Sequence, residues 1–277
     1  MAAAARDAAA GAGSVVLVFG EAGIGKSVLV DGIRSVLPAP GRLLVGYCDD
    51  LATRPALGPF RDLIGSVGPE LTRALREGGD RNRLLDALRA DLSSPGRATV
   101  LVIEDVHWAD EATLDVLRYL VRRMPALSAV LVLTYRDDEI GEPIHQLLGL
   151  ISRTERVRRL PLARLSRAAV RQLSAESGVD SGDLYAVTSG NPFFVTELIA
   201  AGDTVHLPPT IVDAVLGRMR TIDPATQEAV EQLAVVPSAL DAWLIDRLVP
   251  GGVPRSRRRN GTGWSRSHRP GSAFATS

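Results

Sequence analysis

The chain of 277 residues predicts an α/β protein with a largely parallel sheet, on three observations. Short apolar, β-branched runs alternate with helix-length stretches as far as Pro161. A glycine-rich turn lies between the first run and the first helix. Two carboxylates close a later run. Strands alternating with helical patterns mark βαβ units, whose crossover helices cover both faces of the sheet and give three layers.

In order along the chain, Met1 to Gly13 is rich in Ala and Gly without clear periodicity, so a frayed helix or disorder is expected there. Ser14 to Phe19 (SVVLVF) breaks at Gly20 and reads as a buried strand. Lys26 to Leu37 reads as a helix, stopped by Pro38 and Pro40. Leu43 to Tyr47 is a weaker strand, and Phe60 to Leu92 holds amphipathic helical stretches broken at Gly78-Gly79. Ala98 to Ile103 (ATVLVI) is the second strong strand, with a helix over Asp110 to Arg123. Ala129 to Tyr135 (AVLVLTY) is the third, and Val157 to Leu160 reads as an edge strand. Beyond Pro161 only helical candidates follow: Ser166 to Ser177, Asp183 to Thr188, Phe193 to Ala201, Thr210 to Met219 and Pro224 to Val235. Leu207-Pro208-Pro209 and Asp223-Pro224 mark joints between them.

The strongest chemistry lies in the turn after the first strand. Gly20-Glu21-Ala22-Gly23-Ile24-Gly25-Lys26-Ser27 matches G-x-x-x-x-G-K-[ST], between a buried strand and a helix that continues through Val28. At average residue usage a chance match in a chain this long is on the order of one in a hundred. Backbone N–H groups of such a loop, with the positive end of the helix, cradle phosphate oxygens. Lys26 would reach the β- and γ-phosphates, and the Ser27 hydroxyl would ligate Mg2+. Lys26 is also the only lysine of the chain; the other 31 bases are arginines. The motif predicts a P-loop NTPase sheet that takes a nucleotide's phosphates with Mg2+. The glycine spacing does not fit G-x-G-x-x-G, which disfavours a dinucleotide fold.

A nucleotide site of this kind needs acids on a second strand. Val100-Leu101-Val102-Ile103-Glu104-Asp105 ends in two, at the carboxyl end of the strand, where ligands sit in open α/β sheets. Glu104 would support Mg2+ and its waters, and Asp105 would orient or activate the attacking water. The third strand ends in Thr134-Tyr135-Arg136. Arg136 would either reach the γ-phosphate or pair with Asp137 or Asp138 at the surface.

Composition narrows the field. The formal charge is zero, from 32 bases and 32 acids. Gly251 to Ser277, however, carries six arginines and no acid, so the body has 26 bases against 32 acids and a net charge of −6. An acidic body makes non-specific nucleic-acid binding over its main surface a poor expectation. No run approaches 18 apolar residues, so no membrane-spanning helix is expected, and no secretory signal is visible. The single cysteine, Cys48, excludes an internal disulfide and reads as a small buried hydrophobe in a cytoplasmic protein. The four histidines lack metal-ligand spacing.

Taken together, GEAGIGKS (Gly20 to Ser27), VLVIEDVHWAD (Val100 to Asp110), LVLTYRDDE (Leu131 to Glu139), SGNPFFVTEL (Ser189 to Leu198) and LPPTIVDAVLGRM (Leu207 to Met219) resemble the signal-transduction ATPases with numerous domains (STAND). More narrowly they resemble the ATPase domain of the large LuxR-family, MalT-like regulators and the related AAA-type ATPase domains of bacterial cyclases and kinases, over about Val15 to Val249. The resemblance implies an ATP-binding, slowly ATP-hydrolysing switch domain of a transcriptional regulator. It implies Glu104 as the metal-supporting acid, Asp105 as the catalytic acid and Arg136 as the sensor arginine. Asn191 and Pro192, in Gly190-Asn191-Pro192, fall on the family's helical-lid motif beside the nucleotide. His107, Trp108 and Asp110 belong to the signature, and packing is their expected role.

The chain departs from that family in an Ala-rich start where an Arg/Glu-rich segment helps hold the adenine, and in lacking sensor repeats and a helix-turn-helix. The expected organisation is a stub over 1–13, an ATPase domain over 14–162, a helical lid over 163–205, a helical, partly winged-helix-like segment over 206–250 and a disordered basic tail over 251–277. The tail reads as a basic nucleic-acid or membrane arm, or as a stretch where the reading frame departs from the family's. The expected partners are ATP or ADP, and a protein partner or a second copy, with no direct DNA contact and no membrane. The alternative function is a catalytically degenerate interaction module that keeps the fold without turnover.

Overall fold

The computed structural model describes residues 1–78, 80–94, 96–220 and 222–234. They divide into a first compact unit, Met1–Leu207, and a second that begins at Pro208.

The first unit opens with helix α1 (Ala2–Ala9), then strand β1 (Ser14–Phe19), α2 (Lys26–Asp31), α3 (Ile33–Val36) and β2 (Arg42–Tyr47). Next come α4 (Gly58–Arg61), α5 (Pro69–Glu77), α6 (Arg81–Leu92), β3 (Thr99–Glu104), α7 (Glu111–Val121) and β4 (Ala129–Tyr135). α8 (Glu142–Ile151), β5 (Val157–Pro161), α9 (Arg167–Ser174), α10 (Ser181–Thr188) and α11 (Pro192–Ala201) complete it. The five strands form one parallel sheet in the order β2-β3-β4-β1-β5. β5 pairs only with β1, at the edge where the sequence expects it.

β1, β3 and β4 are buried on both faces, as near-continuous apolar runs must be in a parallel sheet, while the edge strands β2 and β5 are partly exposed. On one face Leu17, Leu101, Ile103, Leu131 and Leu133 join a core with Phe60, Leu88, Leu117 and Leu147 from the crossover helices. On the other, Val16, Val18, Val100, Val102, Val130 and Val132 pack with Val30 and Ile33. This is the three-layer α/β arrangement that the alternation of elements predicts.

The expectation of a frayed or disordered start is corrected. α1 is a helix, and Ala4, Ala5 and Ala8 are fully buried against the valine face. Alanine spacing gives a weak periodic signal because a methyl group has little apolar area. Here the small side chains fit a face of valines, and burial in tertiary packing supplies what periodicity did not show. A second correction concerns Lys26 to Leu37, which is broken at Gly32 into α2 and α3.

After β5 the chain is helical, as expected. Gly190 turns it from α10 into α11 at φ +76, and a Cβ there would lie 2.2 Å from the Leu165 carbonyl oxygen. Only glycine permits both this backbone and this approach. In the second unit, α12 (Pro209–Met219) and α13 (Pro224–Ala234) are helices, with Ile211 and Ala229 buried. The winged-helix-like stretch at Leu240 to Leu248 and the basic tail lie outside the described residues.

Candidate functional site

Parallel strands place their carboxyl ends along one rim of the sheet. At that rim the Phe19 and Tyr135 rings stack with centroids 5.2 Å apart, tying the ends of β1 and β4. The glycine-rich loop leaves β1 there and enters α2 at Lys26. Lys26 is only 7% exposed, and its Nζ donates to the Gly20 carbonyl at 2.9 Å and the Glu21 carbonyl at 3.0 Å. Burial lowers its pKa, while Asp105 opposes that shift.

One residue further on, the Ser27 hydroxyl donates to Glu104 Oε2 at 2.7 Å, across 77 residues of sequence. Glu104 ends β3 and is 3% exposed. Burial raises its pKa, with the Ser27 bond pulling the other way and Asp105 adding to the rise. A hydroxyl and a carboxylate are the hard oxygen donors Mg2+ takes, and Mg2+ is commonly held by one or two protein groups plus phosphate and water. The pair therefore fits that ion.

Asp105 leaves the strand in a left-handed conformation, φ 52 and ψ 47, with its N–H donating to Thr134 Oγ1 at 2.9 Å. Such a backbone is uncommon outside glycine, and Asp and Asn are the residues that tolerate it. The turn takes the chain off the sheet, so Asp105 lines the cleft above while Glu104 stays behind Ser27. Arg136 lines the same cleft, and its Nη1 donates to Glu139 Oε1 at 2.8 Å. Arg136 is thus held in an ion pair with Glu139, a partner the sequence reading did not name.

The cleft, about 1040 Å³, is lined by the loop and helix start from Ala22 to Val28, by Asp105 and Arg136, and by Pro192. Val28, 75% exposed, is on its wall. The apolar part of the lining comes from residues the sequence reading did not single out, among them Met1, Ile33, Val36, Leu162 and Phe193. Nothing local marks these residues; they meet because Met1, α3, the residue after β5 and the first turn of α11 converge on the loop.

Gly20, Glu21 and Asn191 stand behind the wall, with bonds to the protein itself. Glu21 receives two bonds from Arg164, from Nε and Nη2, both at 2.7 Å. Asn191 Nδ2 donates to Glu21 Oε1 and to the Ala22 carbonyl, each at 3.0 Å, while its Oδ1 accepts from the Phe193 N–H. Phe193 N–H also bonds the Gly23 carbonyl at 3.1 Å. Gly23 has φ +74, and a Cβ on it would lie 2.7 Å from Phe193 Cβ. Asn191 thus caps α11 and fixes that helix on the loop. Arg164 was missed because one arginine among the seven between Arg153 and Arg171 carries no distinguishing signal.

His107, in a 3₁₀ turn after Asp105, is buried with both ring nitrogens lacking a hydrogen bond. Trp108 packs beside it and lies under the Arg54 guanidinium, 5.3 Å from the ring centre. Asp110 caps α7 by accepting from the Thr113 N–H at 3.0 Å and also accepts from the Leu57 N–H at 3.3 Å. Cys48 is buried and its thiol is pushed up to about 12, chiefly by burial.

Parallel strand order, glycine-rich loop and acidic strand end together define a P-loop nucleotide-binding module. Residues 1–133, just under half of the chain, match the family model described as the AAA ATPase domain. This part of the chain is similar to the ATPase-type module that the family model describes. Among solved structures, the fold is similar to the Aeropyrum pernix ORC2 protein in ADPNP-ADP complexes, at 12% identity and TM-score 0.53, covering 88% of this chain and 76% of that one. It is similar to Aeropyrum pernix ORC1 in complex with DNA, at 14% identity and TM-score 0.50, covering 89% and 74%. A STAND protein with a tetratricopeptide repeat sensor from Pyrococcus horikoshii aligns at 17% identity and TM-score 0.46, over 87% of this chain. This chain spans 35% of that protein's length. No curated protein matches the sequence. Among the described residues no helix is long and apolar enough to cross a membrane.

Proposed function

We propose that the chain binds Mg-ATP and hydrolyses it slowly, as the cytoplasmic switch domain of a LuxR-type transcriptional regulator. The observation that carries the reading is the Ser27–Glu104 bond, with Ser27 on the wall of a cleft that Asp105 and Lys26 also line. It joins the two oxygen donors expected to support Mg2+, from elements 77 residues apart, beside the only lysine of the chain.

In this reading the loop N–H groups and Lys26 hold the phosphates, and the apolar wall from Ile33, Val36 and Leu162 takes the base. Bound Mg2+ supplies charge neutralisation at the phosphates. Asp105 accepts the proton of the attacking water, and Arg136, once it leaves Glu139, meets the γ-phosphate. The regulator assignment rests on the five motifs that resemble that family, and the net −6 body supports a protein partner or second copy over a nucleic acid.

Calorimetric titration with ATP and ADP, with and without Mg2+, tests the core of the proposal. Saturable Mg-dependent binding by wild type and much weaker binding by Lys26→Ala are expected; equal affinity in the two proteins would sink it. A degenerate module without turnover is the second reading, favoured by the Arg136–Glu139 pair, which leaves Arg136 engaged. Background-level single-turnover rates, equal in wild type and Asp105→Asn, would establish that reading instead.

A further inference from the structure

His107 has two buried ring nitrogens without a hydrogen bond at a point where two carboxylates face it. Its side chain is 1% exposed. Nδ1 lies 3.8 Å from Asp105 Oδ1, and Nε2 lies 3.6 Å from Glu139 Oε2. That Glu139 oxygen is itself buried and unbonded, while Glu139 Oε1 accepts from Arg136. A buried polar group without a partner costs roughly 1–3 kcal/mol. Two such groups face each other here, just beyond bonding distance, so a small side-chain movement gains a bond.

The charge on the ring decides how many bonds it can make. Burial holds its pKa at about 4; Arg136 and Lys26 act with burial, Asp105 and Asp138 against it. The imidazole is therefore neutral near pH 7 and carries one N–H. It can donate to Asp105 or to Glu139, not to both. With the proton on Nδ1, the ring holds the Asp105 carboxylate, and the Nε2 lone pair faces Glu139 and repels it from its place beside Arg136. With the proton on Nε2, the ring holds Glu139, and Asp105 has no anchor from His107.

We propose that His107 is a positioning residue for Asp105, donating through Nδ1–H when the cleft is filled, and that the same choice loosens Glu139 and so frees Arg136. This rests on the ATPase reading of the site. A buried histidine that only fills space would need no carboxylate opposite each nitrogen.

Three variants of the full chain separate positioning from packing. The amide nitrogen of His107→Asn falls near the place of Nδ1, and that of His107→Gln near the place of Nε2; His107→Ala has neither. In single-turnover ATP hydrolysis, His107→Asn should stay within about threefold of wild type. The Gln and Ala variants should be ~10- to 100-fold slower, since misplacing a catalytic group by an ångström costs about that much. Kd for ATP should be unchanged in all three. Equal rates in the Asn and Gln variants overturn the proposal, because packing alone does not distinguish the two amides. Imidazole ¹⁵N spectra with Mg2+ and a non-hydrolysable ATP analogue give a readout free of turnover. A proton on Nδ1 supports the proposal, and one fixed on Nε2 with and without the analogue overturns it. Should wild type bind ATP without hydrolysing it, the hydrolysis reading falls and the ring spectra still decide the role of His107.

Discussion

The two sides of the cleft are held by different means. On the sheet side, Glu104 and Asp105 end a strand that is buried along its whole length, and Ser27 reaches Glu104 from the first turn of α2. Packing of the two cores fixes these positions. On the lid side, Arg164, between β5 and α9, and Asn191 and Phe193, at the start of α11, all bond Glu21, Ala22 or Gly23. Polar contacts hold this side, and the Arg164 side chain is 48% exposed. Core packing does not move without large cost, whereas a solvent-exposed ion pair contributes little and can exchange with water. The sheet side thus rests on packed cores, while the lid side rests in part on an exposed ion pair beside the buried Asn191.

Substitutions can break or sharpen that contrast. The largest effect is expected at Asp105: Asp105→Asn should slow single-turnover hydrolysis by ~10²- to 10⁴-fold, the usual contribution of a positioned acid or base, with ATP affinity kept. Lys26→Ala should weaken ATP binding by ~10- to 100-fold in calorimetry, as loss of charged hydrogen bonds does.

A pH series tests the buried histidine beneath the sheet side. The folded pKa of His107, about 4, lies below that of a free imidazole, about 6.5. The stability gained by keeping the ring neutral is complete above pH 6.5 and is lost as pH falls through 4. Asp105, Asp138, Glu139, Arg136 and Lys26 face the ring and are common to both proteins compared. Thermal or urea unfolding of wild type should therefore lose on the order of 1–3 kcal/mol more than that of His107→Gln between those pH values. Parallel curves for the two proteins would remove the buried neutral ring from the account.

The smallest effect is expected on the lid. Arg164→Ala, Glu21→Gln and the double variant should give a coupling of ~0.2–1 kcal/mol in a stability cycle, the range for exposed pairs. Hydrogen exchange in Pro192–Ala201 should rise in each variant while the core strands stay protected. Loss of ATP binding in Arg164→Ala as large as in Lys26→Ala would erase the distinction between the two sides.

Much of the sheet side is legible in the sequence. Runs such as SVVLVF and TVLVIE can satisfy their backbone only in a sheet buried on both faces, and a glycine-rich turn ending in Lys-Ser announces phosphate chemistry locally. α1 was not legible, since three alanines carry little periodic signal, yet its burial completes one face of the sheet. The lid side was half legible: Gly190-Asn191-Pro192 marked a place, but the roles of Asn191 and Glu21 came out as bonds between lid and loop. Arg164 carried no local mark.

The sequence by itself determined the strands, their parallel pairing and the loop, because each follows from short-range rules of periodicity and backbone freedom. Tertiary structure alone decided which groups meet: Ser27 with Glu104, Arg164 with Glu21, and His107 between Asp105 and Glu139. Those meetings depend on packing elements far apart in the chain, where one burial constraint is satisfied jointly by many residues and no single segment records it.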